Sequence, residues 1–176
     1  MGNSLKDGRK SRPEMDTVDP AAAYVNRAAE EIFELTKISW LLRSRRRRKG
    51  SFDLTETEFL TLDLVASNES QTVGQIRTSI GVLPAQMSRI LRSLERRGDK
   101  PLIRCAINPA DRRRIDVTIT EAGRKAHKAF RDARISMSTE TLVQLPSEDL
   151  RDFMRIMEKI RGLMLPQLEK SQTQDQ

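Results

Sequence analysis

The sequence predicts a mainly α-helical fold that carries one small β-hairpin. Two observations lead to it. Apolar residues recur at three- and four-residue spacings through most of the chain, in segments bounded by helix-capping residues. One stretch, Ile115 to Ile119, instead alternates apolar and polar with period two. A turn-rich segment separates it from a second strand-like run.

The elements follow in order. Residues 1–18 are polar and mixed in charge, and are expected to be disordered. Asp19 is a good N-cap and Pro20 suits the first helical position, so a helix is predicted from there to about Arg46. Val25, Ala28, Ile32, Leu35 and Leu42 form its stripe, interrupted by Ser39. Phe33, Ile38, Trp40 and Leu41 widen it, so this helix needs more than one neighbour. A second helix is predicted over Phe52 to Ser67, with Thr55 and Glu58 as a capping box and Phe59, Leu62, Val65 and Ala66 as its buried face. Thr72 and Gln75 form another capping box and open a short helix, Val73 to Ile80, which Gly81 ends. The next helix is expected from Pro84 to Arg97, buried along Met87, Ile90, Leu91 and Leu94 and stopped by Gly98. Leu102–Ile107 and Ile115–Ile119 make the hairpin, and Asn108 to Arg114 is its cationic tip. Thr120 caps a helix bearing Ala122, Ala126, Ala129, Phe130 and Ala133. Pro146-Ser147 opens the last one, with Leu150, Phe153, Met157, Ile160 and Met164 as a stripe. Pro166 falls near its end, and the residues beyond Leu168 are expected to form a flexible tail, 169–176.

Composition narrows the function. With 37% apolar and 32% charged residues over 176 positions, the core is thin for the length. A second subunit is the expected cover for the remaining apolar surface. The net charge of +7 is uneven: Leu83 to Arg114 holds nine basic residues against three acidic. Arg43 to Lys49 is a second basic run at a helix end, where the dipole favours cations; phosphate contact and plain solubility are its two readings. A polyanionic partner is implied. No apolar run is long enough for a membrane span, no signal-peptide core is seen, and Lys6 breaks a myristoylation motif at Met1-Gly2. The expected location is cytoplasmic, without membrane association. Cys105 is the single cysteine and reads as a packed residue, with a redox sensor as the alternative. One histidine, His127, and one cysteine make a metal site improbable. There is no Gly-rich phosphate loop and no nucleophile–base set. The reading is therefore not an enzyme, with no cofactor and no metal.

Two helices joined by a tight glycine turn and followed by a basic hairpin are the parts that DNA reading requires. A helix in the major groove needs an apolar anchoring side and a polar side facing base edges. On Pro84–Arg97 the polar side carries Gln86, Ser88, Arg89, Arg92 and Ser93. Arginine can bond guanine bidentately and glutamine adenine. Arg112, Arg113 and Arg114 at the hairpin tip suit the focused negative potential of a minor groove.

The stretch from Leu54 to Arg124 resembles the MarR family of winged helix-turn-helix regulators. The matching residues begin with Leu54-Thr55-x-x-Glu58-Phe59-x-x-Leu62 and Thr72-Val73-Gly74-Gln75-Ile76. Met87-Ser88-Arg89-Ile90-Leu91, Leu94-Glu95-Arg96-Arg97-Gly98 and Leu102-Ile103-Arg104 follow. Pro109-x-Asp111-Arg112-Arg113 and Thr120-Glu121-Ala122-Gly123-Arg124 complete the set. The resemblance implies a homodimer with intertwined terminal helices. Its domains would be a dimerisation helix over 19–50, a winged helix-turn-helix over 51–120 and C-terminal dimerisation helices over 121–168. It also implies double-stranded DNA with a pseudo-palindromic operator as partner. Repression relieved by a small phenolic or anionic effector would follow, with Trp40, Phe59 and Phe130 as pocket candidates that are equally good core residues. Carried over, Gln86, Ser88, Arg89 and Arg92 would enter the major groove. Arg113, helped by Arg112 and Arg114, would enter the minor groove, and Asp111 would brace the wing. Three departures stand out. Leu83 occupies a position usually held by a Ser or Thr cap, Gly98-Asp99-Lys100-Pro101 lengthens the link to the first wing strand, and Asn108 replaces a common Asp. The rival readings are a winged-helix protein-interaction module and a non-specific nucleic-acid binder.

Overall fold

The computed structural model describes residues 19–46, 54–68, 70–97 and 100–174. The expected disorder of 1–18, the Arg47–Lys49 end of the basic run, the Phe52 start, the Gly98 stop and the last two residues lie outside these. The element order is α1 (Pro20–Arg46), α2 (Glu56–Ser67), β1 (Gln71–Thr72), α3 (Val73–Ile80), α4 (Pro84–Glu95), β2 (Ile103–Ile107), β3 (Ile115–Ile119), α5 (Glu121–Leu142) and α6 (Ser147–Gln174). The chain divides into two compact units, one up to Lys49 that contains α1 and one from Gly50 onward. Within its own unit α1 leaves Tyr24, Phe33, Leu35 and Trp40 exposed, while Asp19 caps it by accepting from the Ala21 amide at 3.0 Å.

The second unit is built on the capped helices expected from sequence. Thr55 and Glu58 exchange side-chain and backbone bonds at the start of α2, and Thr72 and Gln75 do the same for α3. Gly81 ends α3 with φ 67°, a left-handed conformation that costs other residues about 1 kcal/mol or more. Met87, Ile90, Leu91 and Leu94 are all buried and meet Leu54, Leu62, Val65, Ile76, Leu102, Ile103, Val117, Ala126 and Phe130 in one core. Each of these side chains larger than alanine contributes roughly 1.5–3 kcal/mol through burial.

Five expectations need correction. The helix after the first starts at Glu56, since Thr55 is extended and serves as cap rather than first-turn residue. Of that helix's expected buried face, Phe59 and Ala66 are only half-buried. The Pro84 helix ends at Glu95 and is closed by Arg96, short of Arg97. The sheet has three strands in the order β1-β3-β2, all antiparallel. With two residues, β1 has no period to betray it; β3 supplies the pairing, Gln71 with Val117 and Thr72 with Asp116. Finally, α6 passes through Pro166 and runs on to Gln174, so 169–174 are helical rather than a loose tail. The proline ring crowds the carbonyl four residues back. That residue is Gly162, which has no side chain to hinder the adjustment.

Three long-range ties fasten α5 to α2. The Phe59 ring stacks between His127 (centroids 5.1 Å apart, planes 4°) and Phe130 (4.7 Å). Asp63 Oδ1 lies 2.8 Å from His127 Nε2, and Arg134 Nη2 donates to Glu56 Oε1 at 2.6 Å while its guanidinium covers Phe130. The sole histidine is thus occupied in packing and hydrogen bonding. Phe59 and Phe130 fill each other's space as core residues.

Candidate nucleic-acid interface

Helix α4 owes its place to two features. Pro84 pre-sets its first turn, and its apolar stripe sinks into the core. No side chain caps it: Leu83 makes no cap bond and is exposed, so the departure noted in the sequence is real. At about 100° per residue, Arg89, Arg92 and Arg96 point furthest from the stripe. Gln86, Ser93 and Arg97 fall on one flank and Ser88 on the other. Gln86, Ser88, Arg89 and Arg92 are all exposed.

Their hydrogen bonds differentiate them. The Ser88 hydroxyl donates to the Pro84 carbonyl (3.1 Å), and Arg92 Nε donates to the Ser88 carbonyl (3.1 Å). Arg92 is folded along its own helix, so only its terminal nitrogens project. Arg97 turns inward, 3.5 Å from the carboxylate of Glu58, which is itself 4% exposed. Ser93 donates to the other Glu58 oxygen at 2.5 Å. Sequence reading placed Ser93 with the outward polar set and Glu58 in a capping box; both hold, but the bond between the two was not foreseen. Contacts across 35 positions leave no local pattern, so periodicity could not have found them.

The hairpin tip is set by Asn108 and Asp111. Asn108 Oδ1 accepts the Ala110 and Asp111 amides, each at 2.9 Å, and the backbone closes through Asn108 N to Arg114 O (2.9 Å). Asn108 Nδ2 donates to Asp116 Oδ2 at 2.8 Å, which a carboxylate could not do. The replacement of Asp by Asn therefore has a local cause. Asp111 divides its oxygens: Oδ1 accepts the Arg113 amide (3.1 Å) and lies 3.4 Å from Arg113 Nε, and Oδ2 lies 3.2 Å from Arg114 Nε. Such exposed pairs contribute at most about 1 kcal/mol, but they order the tip. Arg112, Arg113 and Arg114 remain exposed, the Arg113 side chain at 92%.

The lengthened link before β2 is tied at its far end. Leu102 N donates to Leu94 O (2.9 Å), and Thr120 donates from its hydroxyl to Pro101 O (2.6 Å) and from its amide to Leu102 O (3.0 Å). The Cys105 amide donates to Glu95 Oε1 at 3.1 Å. Burial first, then the hydrogen bond and negative charge of Glu95, push the Cys105 thiol up to about 12. A thiol held protonated is a poor nucleophile, which favours the packed residue over the redox sensor. Among the described residues no cluster of three or more His, Cys, Asp or Glu could hold a metal ion, and no helix is long and apolar enough to cross a membrane.

Two helices around a glycine turn, the second with an outward cationic face, and a three-stranded sheet ending in a basic hairpin define a winged helix-turn-helix protein. Residues 54–115 match the family model described as MarR family. An uncharacterized HTH-type transcriptional regulator of Mycobacterium bovis is 29% identical over 131 residues, which span 74% of this chain and 87% of that protein. The fold is shared with FabT of Streptococcus pneumoniae, solved in complex with DNA. The TM-score is 0.64 at 18% identity, over 80% of this chain and 96% of that one. It is also shared with PcaV of Streptomyces coelicolor, solved with its natural ligand. There the TM-score is 0.52 at 19% identity, over 84% of this chain and 98% of that one.

Proposed function

We propose that this chain is a sequence-specific, homodimeric DNA-binding transcriptional regulator, non-enzymatic and cytoplasmic. The observation that carries the reading is the pairing of an exposed cationic face on α4 with a wing tip where Asp111 holds Arg113 and Arg114. Arg89 and Gln86 are the base-reading residues, Ser88 assists, and Arg92 contacts phosphate through its terminal nitrogens. Arg113 enters the minor groove, flanked by Arg112 and Arg114. The domain division follows, with 51–120 reading DNA and 19–50 and 121–168 serving dimerisation. Exposed apolar residues support the dimer: Ile32, Phe33, Leu35 and Trp40 on α1, and Phe153, Met157, Leu163, Met164 and Leu168 on α6. Two-fold symmetry then makes the operator pseudo-palindromic, with half-sites about one helical turn or a multiple apart. Repression relieved by a small phenolic or anionic effector is the finer reading, supported by the ligand complex of PcaV.

The test is binding to DNA from the protein's own upstream region, and to duplexes selected from a random library, against a shuffled duplex at two salt concentrations. A preferred duplex and a steep salt dependence are expected. Equal affinity for every duplex would refute sequence-specific regulation.

A further inference from the structure

Glu58 is a buried carboxylate set between the first turn of α2 and the reading helix. Its Oε2 accepts the Thr55 amide at 2.8 Å and lies 3.5 Å from Arg97 Nη1, while its Oε1 accepts the Ser93 hydroxyl at 2.5 Å. A capping box needs only the first of these bonds. The other two reach across the fold to α4 and just past its end. Ser93 lies one turn after Arg89, on the same row of the helix, and Arg97 follows just past the Arg96 cap. The apolar stripe fixes which side of α4 faces the core, but an apolar contact is non-directional and leaves a small roll about the axis. A part-buried charge-assisted hydrogen bond to the row that bears Arg89 removes that roll. It also turns Arg97 inward, where its side chain is 29% exposed, and so subtracts one cation from the outward face.

We infer that Glu58 is a specificity-determining positioning residue: it aims Arg89 at its base and withholds Arg97 from the phosphate backbone. The inference rests on the DNA-reading function proposed above. Glu58 touches no DNA, so its effect appears in the ratio of specific to non-specific affinity rather than in affinity alone.

The experiment uses the full chain, the duplex selected by the wild-type protein and a shuffled duplex. Glu58→Gln keeps a residue able to complete the capping box but loses the charge that holds Arg97. Ser93→Ala removes one tether and leaves the charge in place. For E58Q the specific-to-shuffled ratio is expected to fall about tenfold, part of what a lost bidentate base contact removes. Affinity for the shuffled duplex should hold or rise. S93A should lower the ratio by about threefold. Adding Arg89→Ala to E58Q should lower the ratio less than it does in the wild-type background. An unchanged ratio in both single variants, or an equal loss for both duplexes, overturns the inference. If E58Q fails to fold, S93A alone decides between these outcomes. A wild-type protein with no preference for any duplex overturns the DNA-reading function itself, and the inference with it.

Discussion

Replacing Gly123 with alanine adds one methyl group where α5 leaves the sheet. A Cβ there would sit 2.0 Å from the Leu102 carbonyl oxygen, 2.8 Å from Ile119 Cγ1 and 3.0 Å from the Leu102 carbonyl carbon. The worst of these partners is backbone, so no side-chain rotation relieves it. The Leu102 oxygen is also fixed, since it accepts the Thr120 amide at 3.0 Å. Relief requires the start of α5 to back away by about 1 Å, which strains that bond and the Thr120–Pro101 bond beside it. Overpacking of this kind costs about 1–3 kcal/mol, and two weakened hydrogen bonds add about 1–2 kcal/mol. Alanine's better helix propensity returns about 1 kcal/mol. Sterics win, and Gly123→Ala should destabilise the protein by about 1–4 kcal/mol. Urea unfolding followed by circular dichroism measures it, with the slope of the transition compared to confirm that the same surface unfolds. A variant as stable as the wild type would mean that propensity outweighs the contact, and the reasoning would be wrong.

Arg89→Ala should weaken binding to the selected duplex by about 1–3 kcal/mol and relax preference at one base position. A uniform loss over all duplexes in a competition assay would reassign Arg89 to phosphate. Arg113→Ala should weaken binding with a smaller effect on sequence preference, and unchanged affinity in fluorescence anisotropy would remove it from the interface. Asn108→Asp places a second carboxylate against Asp116 and should loosen the hairpin by about 1–2 kcal/mol. Hydrogen exchange at the β2–β3 amides reads this, and protection equal to the wild type would refute the role given to the Asn108 amide. Cys105 should resist alkylation at pH 8 in the native protein and react once the chain is unfolded in urea. Its folded thiol titrates above the ordinary value of 9.0, so its contribution to stability is intact below 9.0 and declines toward about 12. Rapid native-state labelling would contradict this.

What the sequence made legible is what local physics writes into neighbouring residues. Both capping boxes, the glycine that ends α3, the buried stripe of α4 and the β2–β3 hairpin all leave marks within a few positions. The pairing of β1 left none, because two residues carry no period and their partner lies more than forty positions away. The Glu58–Ser93–Arg97 network and the ties from α5 to α2 were equally silent. At the site, composition and helical spacing picked out which cations face outward. They gave no sign that Arg97 turns in or that Arg92 lies along its own helix. Side-chain direction is settled by long-range partners. The reading of Asn108 as a departure acquired its cause only when Asp116 appeared opposite it.

The strand order gives the wing a mechanical character. As the middle strand, β3 is bonded on one edge to β1, which leads directly into α3, and on the other to β2. Its end passes into α5 through Thr120, which is bonded back to the link after α4. A push on the hairpin tip is thereby felt at three helices at once, and the reading head behaves as a stiff casting rather than a jointed one. In the complex proposed above, a duplex whose minor groove lies out of place would have to bend to meet it.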